Sequence, residues 1–317
     1  MSEMTIDNTQ FAEFIADIYT ATGKIELTEY RHWALTQLQN QVQFDAALWS
    51  NGHQQTMSFH NHTLFNIDQS FTQKLLDYLS INPLADVLLK NLGSPIDMKD
   101  LIEDNDFYQS EIYLKCFKPY GIQRILSSMH LDERTGLFTL LTLYRFEREK
   151  PFSQNAKQIH KQALFHLLRS DKHALFMQLE HQKGLNKHSH KAICDQQGYY
   201  HQMQDSFADL VEHSWGEEGL SKLPIDIVSE QTISHRHLNV YIKAIDELYL
   251  VEVWPQGPLD QLSVREQQVV QTLQQGLTFK QAAKQLELSP STVSNHLYRI
   301  YKKLNVGSKA ELLKLLS

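Results

Sequence analysis

The sequence contains few cysteines and no long apolar run, and both absences limit what the protein can be. Its two cysteines, Cys116 and Cys194, are far apart, and neither lies in a CxxC motif. We therefore expect two reduced thiols that pack as small hydrophobic groups, with a redox-sensing pair as the alternative. Apolar runs are only a few residues long, far below the roughly 20 residues of a membrane-spanning helix. The first ten residues are polar and acidic and lack a signal-peptide pattern, so we expect a cytoplasmic protein with no membrane partner.

The common catalytic and metal-binding motifs are also absent from the sequence. It has no glycine-rich phosphate loop, no nucleophile elbow and no paired His/Glu metal motif. Histidine is abundant, with 16 residues, and some lie close together, as in His60-Asn-His62 and His235-Arg-His237. These pairs have no cysteine or carboxylate at ligand spacing. We therefore expect no catalytic residue, no cofactor, no metal site and no enzyme activity.

The C-terminal segment, in contrast, is rich in signals that start helices. Three hydroxyl residues are each followed three residues later by Glu or Gln, which is the spacing of a capping box: Ser263, Thr278 and Ser308. A fourth start is Ser289, with Pro290 in the first helical position, where the missing N–H costs nothing. Gly276 suits a left-handed position at the end of the first helix. The pattern predicts four short helices between residues 262 and 312.

The two middle helices are predicted at about 279–287 and 290–304, joined only by Leu288 and Ser289. A connection this short favours a helix-turn-helix. In the second helix, apolar residues recur at intervals of four, three and four and so form one buried stripe: Val293, Leu297, Ile300 and Leu304. The opposite face carries groups that hydrogen-bond to base edges and phosphates, and no acidic residue lies in 290–304.

This segment resembles the DNA-binding domain of LuxR-type (NarL/FixJ-type) bacterial transcription regulators. The matching residues follow the order of the family motif over about 55 residues: Leu262-Ser263-x-Arg265-Glu266, Gly276, Lys280, Ala283, Leu286, Ser289, Thr292-Val293-x-x-His296, Ile300, Lys303-Leu304-x-Val306 and Glu311-Leu312. Ala282 stands where the family usually has a larger aliphatic residue, and Ser294 and Tyr298 stand where Lys or Arg is frequent. The resemblance implies binding of double-stranded DNA; a helical docking module is the alternative.

Charge is distributed unevenly along the chain and supports DNA binding by its C-terminal end. Residues 260–317 contain eight Lys/Arg and four Asp/Glu, a net charge of +4. The remainder holds 22 Lys/Arg and 33 Asp/Glu, a net charge of −11, which accounts for the −7 of the whole chain. DNA phosphates attract the basic residues 260–317 and repel the acidic remainder of the chain. This distribution favours a C-terminal DNA-binding domain joined to a region that does not bind DNA.

The exposed face of the second helix supplies the candidate site residues. We predict that Ser294, Asn295 and Tyr298 read bases. Phosphate contacts are assigned to seven hydroxyl and basic residues: Thr278, Lys280, Ser291, Thr292, Arg299, Lys302 and Lys303. We expect a homodimer on an inverted DNA repeat, and RNA polymerase as a further partner if the protein activates transcription.

The region upstream predicts an α+β architecture. Helices are expected at 11–19, 27–42, 69–79 and 153–182, and strands at 44–50, 54–59, 121–131 and 137–146. Asn51-Gly52, a common hairpin-turn dipeptide, is predicted to join the first two strands. The order of elements in 113–180 resembles GAF/PAS-like sensor regions. Residues 185–254 then repeat a strand–turn–strand–helix pattern and are expected to close with a hairpin at Asp246-Glu247.

The predicted fold class is therefore multidomain α+β, with a GAF/PAS-like sensor region followed by an all-α four-helix domain. The predicted domains are 1–183 (sensor and dimerisation), 184–254 (a second PAS-like unit), 255–260 (linker) and 261–317 (DNA binding). The predicted function is a one-component transcriptional regulator. Control of DNA binding by a small-molecule effector is the first hypothesis, control by a protein partner is the alternative, and no ligand-binding residue is predicted.

Overall fold

The computed structural model describes residues 8–54, 58–181, 186, 189–245 and 248–315. The predicted boundary at 183/184 and the predicted turn Asp246-Glu247 lie outside these residues. Contacts divide the chain into two compact units, Met1–Gln231 with Tyr241–Glu252, and Thr232–Val240 with Val253–Ser317. None of the described helices is long and apolar enough to cross a membrane.

The first α+β region is built from seven α-helices and five strands in the described part of the chain. The helices are α1 Asn8–Ala21, α2 Leu27–Gln39, α3 Ser70–Asp77, α4 Pro83–Lys90, α5 Met98–Leu101, α6 Asp104–Phe107 and α7 Gln154–His181. The strands are β1 Ala46–His53, β2 Ser58–Phe65, β3 Ile96–Asp97, β4 Arg124–Leu131 and β5 Leu137–Arg145. They form an antiparallel sheet in the order β2-β1-β5-β4-β3.

The prediction of a hairpin turn at Asn51-Gly52 is wrong, because both residues lie inside β1. Strand β5 pairs with them from one side, with Gly52 opposite Phe138, and β2 pairs from the other, with Gly52 opposite Phe59. The register with β2 shifts between Asn51 and Gly52, so the glycine accommodates an irregularity in the ladder and not a turn. Pairing with β5, about 85 residues away in sequence, thus overrides the local turn signal.

Helices cover both faces of this sheet. On one face, Ala47, Trp49 and Leu141 share a core with α1, α2 and α7. On the other face, Ala46 and Leu48 share a core with α3 and α4. Because successive strand residues point to opposite faces, a strand buried on both sides is continuously apolar, as the run of residues 46–49 is.

The second set of elements repeats the topology of the first. It comprises β6 His190–Cys194, β7 Tyr200–Met203, α8 Asp205–Trp215, α9 Glu218–Ser221, β8 Thr232–His235, β9 Leu238–Ile245 and β10 Leu248–Pro255. Its sheet has the order β7-β6-β10-β9-β8, so both sheets follow the pattern of second, first, fifth, fourth and third strand. As expected, Cys116 and Cys194 are buried and free, and burial raises the pKa of each thiol to about 12.

Four α-helices follow, after a 3₁₀ turn at Pro258–Gln261: α10 Val264–Gln274, α11 Phe279–Gln285, α12 Pro290–Leu304 and α13 Lys309–Leu315. Their core consists of residues from all four helices and of the residue that follows the turn: Leu262, Val269, Val270, Leu273, Ala283, Val293, Leu297, Ile300 and Leu312. Two antiparallel α+β sheet regions followed by a helical C-terminal domain confirm the predicted fold class.

Candidate nucleic-acid interface

The helix starts that the sequence predicts are present with the hydrogen bonds of their caps. At α10, the Glu266 N–H donates to Ser263 Oγ (3.4 Å), and the Ser263 N–H donates to Glu266 Oε2 (2.8 Å). Thr278 and Gln281 form the same reciprocal pair at α11. At α13, Ser308 Oγ accepts from the Glu311 N–H, but the Glu311 carboxylate accepts from Gly307. The first two capping boxes are therefore confirmed. In the third, the Glu311 carboxylate bonds to the N–H of Gly307, one residue before the predicted partner Ser308.

The turn between α11 and α12 begins two residues earlier than predicted. Helix α11 ends at Gln285, and Glu287 adopts the left-handed conformation, with φ of 56°. The Leu288 N–H then donates to the Ala283 carbonyl (2.9 Å), and the Glu287 N–H donates to the Lys284 carbonyl (3.3 Å). This is the bonding of a Schellman motif, in which glycine is usual at the left-handed position. A glutamate there gives no sequence signal for the end of the helix.

Helix α12 has one buried and one exposed face, as the apolar spacing predicts. Val293, Leu297 and Ile300 are each at most 3% exposed, whereas Leu304 is half-buried. Its N-terminus is capped by Ser289 Oγ, which accepts from the Thr292 N–H at 3.1 Å. The cap and the apolar stripe fix how α12 lies on α10 and α11.

The three predicted base-reading residues lie together on the exposed face of α12. Ser294 and Asn295 are exposed, and Tyr298 is 71% exposed, although it is a large aromatic residue. Spacings of three and four residues place Tyr298 beside both of the others on a helix surface. The Tyr298 ring is therefore accessible on the same face as Ser294 and Asn295.

The predicted phosphate-binding residues fall into two groups. Lys280, Arg299 and Lys302 are exposed and form no ion pair with any described residue. The hydroxyl residues are already hydrogen-bonded at helix starts: Ser291 and Thr292 contact Ser289 Oγ at 2.7 and 2.8 Å, and Thr278 Oγ1 contacts Gln281 at 2.8 Å. The three cations are therefore free to bind phosphates, whereas the hydroxyl groups already form hydrogen bonds at the N-termini of α11 and α12.

Lys303 has a partner that the sequence does not reveal. Its Nζ lies 2.6 Å from Glu266 Oε2, and the Glu266 side chain is only 4% exposed. Burial works against ionisation of Glu266, but hydrogen bonds from Lys303 and Ser263 outweigh it and lower the pKa of this carboxyl. The ion pair joins the start of α10 to the last turn of α12. The phosphate contact of Lys303 stays a prediction. If it forms, the Lys303 ammonium would bind a phosphate while already paired with Glu266.

Two more basic side chains fix the helices through backbone carbonyls. Arg265 donates from Nη2 to the Leu286 carbonyl (2.6 Å) and from Nη1 to Gln268 Oε1 (2.7 Å). Lys309 Nζ donates to the Leu277 carbonyl (3.1 Å). Both carbonyls follow helix ends, where cations satisfy unpaired acceptors and interact well with the helix dipole. Arg265, one of the matched motif residues, thus stabilises the packing of α10 against the end of α11.

Within the described residues, no group of three His, Cys, Asp or Glu side chains is placed to hold a metal ion. The upstream region contains an apolar cavity of about 50 Å³ between the first sheet and α3–α4, lined by side chains such as Phe59, Leu88 and Phe117. One buried water needs about 10–15 Å³ by the same measure, so this is room for only a few water molecules. An apolar ligand of ordinary size would have to open it.

Residues 260–316 match the family of bacterial regulatory proteins, luxR family. A protein of Aeromonas salmonicida named as an HTH-type transcriptional regulator in the exeN 3′ region is 45% identical over 56 residues. The matched part is 18% of this chain and 29% of that protein, so the chain spans less than a third of the length of this curated relative.

Solved structures similar to the whole chain or to about half of it have low identity and TM-scores. Escherichia coli SdiA is 13% identical, with 96% of each chain covered and a TM-score of 0.39. CepR2, an N-acylhomoserine lactone dependent LuxR family factor from Burkholderia cenocepacia, is 14% identical, with 55% and 99% covered and a TM-score of 0.40. The GAF domain of a Coxiella burnetii phosphoenolpyruvate-protein phosphotransferase gives the same values. These likenesses assign no ligand to the upstream region. The match over residues 260–316, together with the capped helices and the helix-turn-helix, identifies the C-terminal segment as a domain of the luxR family of bacterial regulatory proteins.

Proposed function

We propose that the protein is a sequence-specific DNA-binding transcriptional regulator that works as a homodimer in the cytoplasm. The observation that carries the proposal is the exposed face of α12. It presents Ser294, Asn295 and Tyr298 beside free cations, with no acidic residue along the helix. A face with these groups is complementary to base edges flanked by phosphates.

In this proposal α12 enters the major groove of double-stranded DNA. The Asn295 amide has the donor and acceptor needed for a bidentate contact to adenine, and the Tyr298 ring offers an apolar surface to a thymine methyl group. Lys280, Arg299 and Lys302 bind phosphates on either side and set the orientation of the helix. The net charge of −11 outside residues 260–317 disfavours other modes of docking on DNA.

A homodimer would place two α12 helices about one DNA turn apart. The expected binding site is therefore an inverted repeat with half-sites roughly 10 base pairs apart, centre to centre. The residues 1–183 and 184–254 would form two sensor units, the first also supporting dimerisation, and residues 255–260 would connect them to the DNA-binding domain. Control by a small-molecule effector is preferred to control by a protein partner, since the described upstream residues enclose a polar cavity of about 290 Å³.

Selection of fragmented genomic DNA on the purified full-length protein tests this proposal. The Asn295→Ala variant is run in parallel at one near-physiological salt concentration. Gln274→Ala, which removes an exposed amide from α10, is the matched control. We expect a two-fold repeated motif that the wild type and Gln274→Ala enrich and that Asn295→Ala loses at one base position. Absence of any enriched motif would favour the docking-module alternative, and a single unrepeated half-site would exclude the dimer.

A further inference from the structure

The polar cavity of about 290 Å³ lies among elements of both α+β sheets, all within one compact unit. Helix α2 contributes Thr28 and Arg31, α7 contributes Asp171, and β2 contributes Asn61. Asp195 and His201 reach it from the segment around β6 and β7. The volume is at the lower end of the range for small-molecule pockets.

Arg31, a lining residue of this cavity, has a donor group for which no described residue supplies an acceptor. The side chain is 7% exposed and binds Asp171 side-on, with Nε to Oδ1 at 2.9 Å and Nη2 to Oδ2 at 2.6 Å. The Trp49 ring covers the guanidinium at 5.2 Å. This arrangement leaves Nη1 buried without a hydrogen-bond partner. Because buried charged donors almost always have an acceptor, the site favours a ligand with an oxygen acceptor at this position.

Asp195 offers the complementary group. Its Oδ1 accepts from the Gln197 and Tyr199 N–H groups, both at 2.9 Å. Among the residues that the structure describes, Oδ2 has one long contact, 3.4 Å, with His201 Nε2, and His201 Nδ1 faces the Asn61 amide at 3.4 Å. A carboxylate oxygen with one long hydrogen bond can accept a stronger one from a ligand ammonium.

The balance of charge in the cavity fits a ligand with both groups. Arg31 neutralises Asp171, and no second Lys or Arg of the described lining residues is present to neutralise Asp195. Burial lowers the pKa of His60, also in the lining, to about 4, and that of His62, so neither adds a compensating positive charge. A simple carboxylate would face this excess negative charge, whereas an ammonium on the same ligand would offset it.

Apolar side chains complete the lining. Leu175 belongs to a small hydrophobic cluster with Ile245 and Leu248 packed against it, and all three border the cavity. We propose that this cavity binds a free α-amino acid with an apolar side chain, its carboxylate on Arg31 Nη1, its ammonium on Asp195 Oδ2 and its side chain on the Leu175 cluster. Binding here is independent of DNA; if the proposed regulatory function holds, the amino acid is its effector.

Calorimetry and thermal unfolding of the full-length protein test the ligand class. The probes are L-leucine, L-isoleucine, L-valine, L-methionine and L-phenylalanine. The controls are 4-methylpentanoate and 3-methylbutylamine, which are the leucine skeleton without its ammonium or without its carboxylate. We expect at least one amino acid to bind and raise the unfolding temperature, and both controls to bind at least tenfold more weakly. No binding by any of the five, or equal binding by a control, overturns the proposal.

Two variants with matched controls locate the site. Thr28→Trp narrows the mouth of the cavity from an exposed position on α2, and Thr36→Trp places the same side chain at an exposed position on that helix outside the lining. Asp195→Asn keeps an oxygen acceptor for the backbone N–H groups but removes the charge. Its control, Asp209→Asn, removes the same charge from a surface side chain that is 69% exposed. We expect Thr28→Trp and Asp195→Asn to weaken binding at least tenfold, and the controls to bind as the wild type.

Undiminished binding in Thr28→Trp, which leaves the buried Arg31–Asp171 pair intact, would refute this location even if Asp195→Asn failed to fold. None of these measurements involves DNA. A negative result therefore leaves the DNA-binding proposal standing, and failure of the genomic selection leaves this one standing.

Discussion

The two adjacent lysines in the last turn of α12 should differ in what their removal does to DNA binding. Lys302 is exposed and has no ion-pair partner among the described residues, whereas Lys303 lies 2.6 Å from the buried carboxylate of Glu266. A lysine that binds a phosphate releases condensed counterions, and losing one such contact changes the slope of log K against log salt by about 0.9. Lys302→Ala should show this change. Between about 50 and 200 mM salt, its affinity should fall about 3.5-fold less than that of the wild type.

Lys303→Ala should change the salt slope by less, because its ammonium is already shared with Glu266. Its effect should appear instead as a loss of stability of about 0.5–1 kcal/mol, since the ion pair is partly exposed on the lysine side. The assay is a titration of fluorescent duplex DNA at four or more salt concentrations, beside denaturant unfolding of each variant. An unchanged slope in Lys302→Ala, or a larger change in Lys303→Ala than in Lys302→Ala, would refute the reasoning.

Three further predictions concern stability. The pKa of Glu266 is lowered in the folded chain, so its stabilising contribution is present above the ordinary carboxyl pKa and is lost as the pH falls through the folded value. Amide protection factors in α10, which correct for the intrinsic exchange rate at each pH, should therefore fall on acidification below about pH 5, and this acid dependence should weaken in Glu266→Gln. Glu287→Gly should raise the free energy of unfolding, measured in denaturant, by about 0.5–1 kcal/mol, because glycine adopts the φ of 56° at this position without strain. Glu287→Ala should give no gain, because alanine keeps the Cβ that disfavours this conformation. Arg31→Met should lower the free energy of unfolding of the upstream unit by about 3–5 kcal/mol, because the Asp171 charge is left buried and unpaired. The double variant Arg31→Met/Asp171→Leu should recover most of this loss, since it removes both charges. A double variant as unstable as the single one would contradict that explanation.

Local chemistry explains which features could be predicted from sequence. The starts of α10, α11 and α12 were predictable because a cap residue and its partner lie within three residues of each other. The apolar stripe of α12 was predictable because its period is that of a helix. The exposed position of Ser294, Asn295 and Tyr298 follows from the same period, although their roles as base readers stay predictions.

The features that sequence could not predict depend on residues far apart in the chain. Asn51-Gly52 is a turn signal in isolation, and only its pairing with β5 keeps it in a strand. The Glu266–Lys303 ion pair joins residues 37 positions apart, and Arg31 and Asp171 are separated by 140. The cavity is assembled from α2, α7, β2 and the β6–β7 segment, which no local pattern associates.

The separation of the two faces of α12 has a consequence for how such a protein can evolve. The fold of the domain depends on Val293, Leu297 and Ile300 and on the Ser289 cap, and none of these is a predicted base reader. Substitutions at positions 294, 295 and 298 change only exposed groups and should affect stability by no more than about 0.5 kcal/mol. With the proposed base-reading roles at these positions, a lineage would acquire a new set of target genes through a few neutral surface changes, without a compensating change in the core.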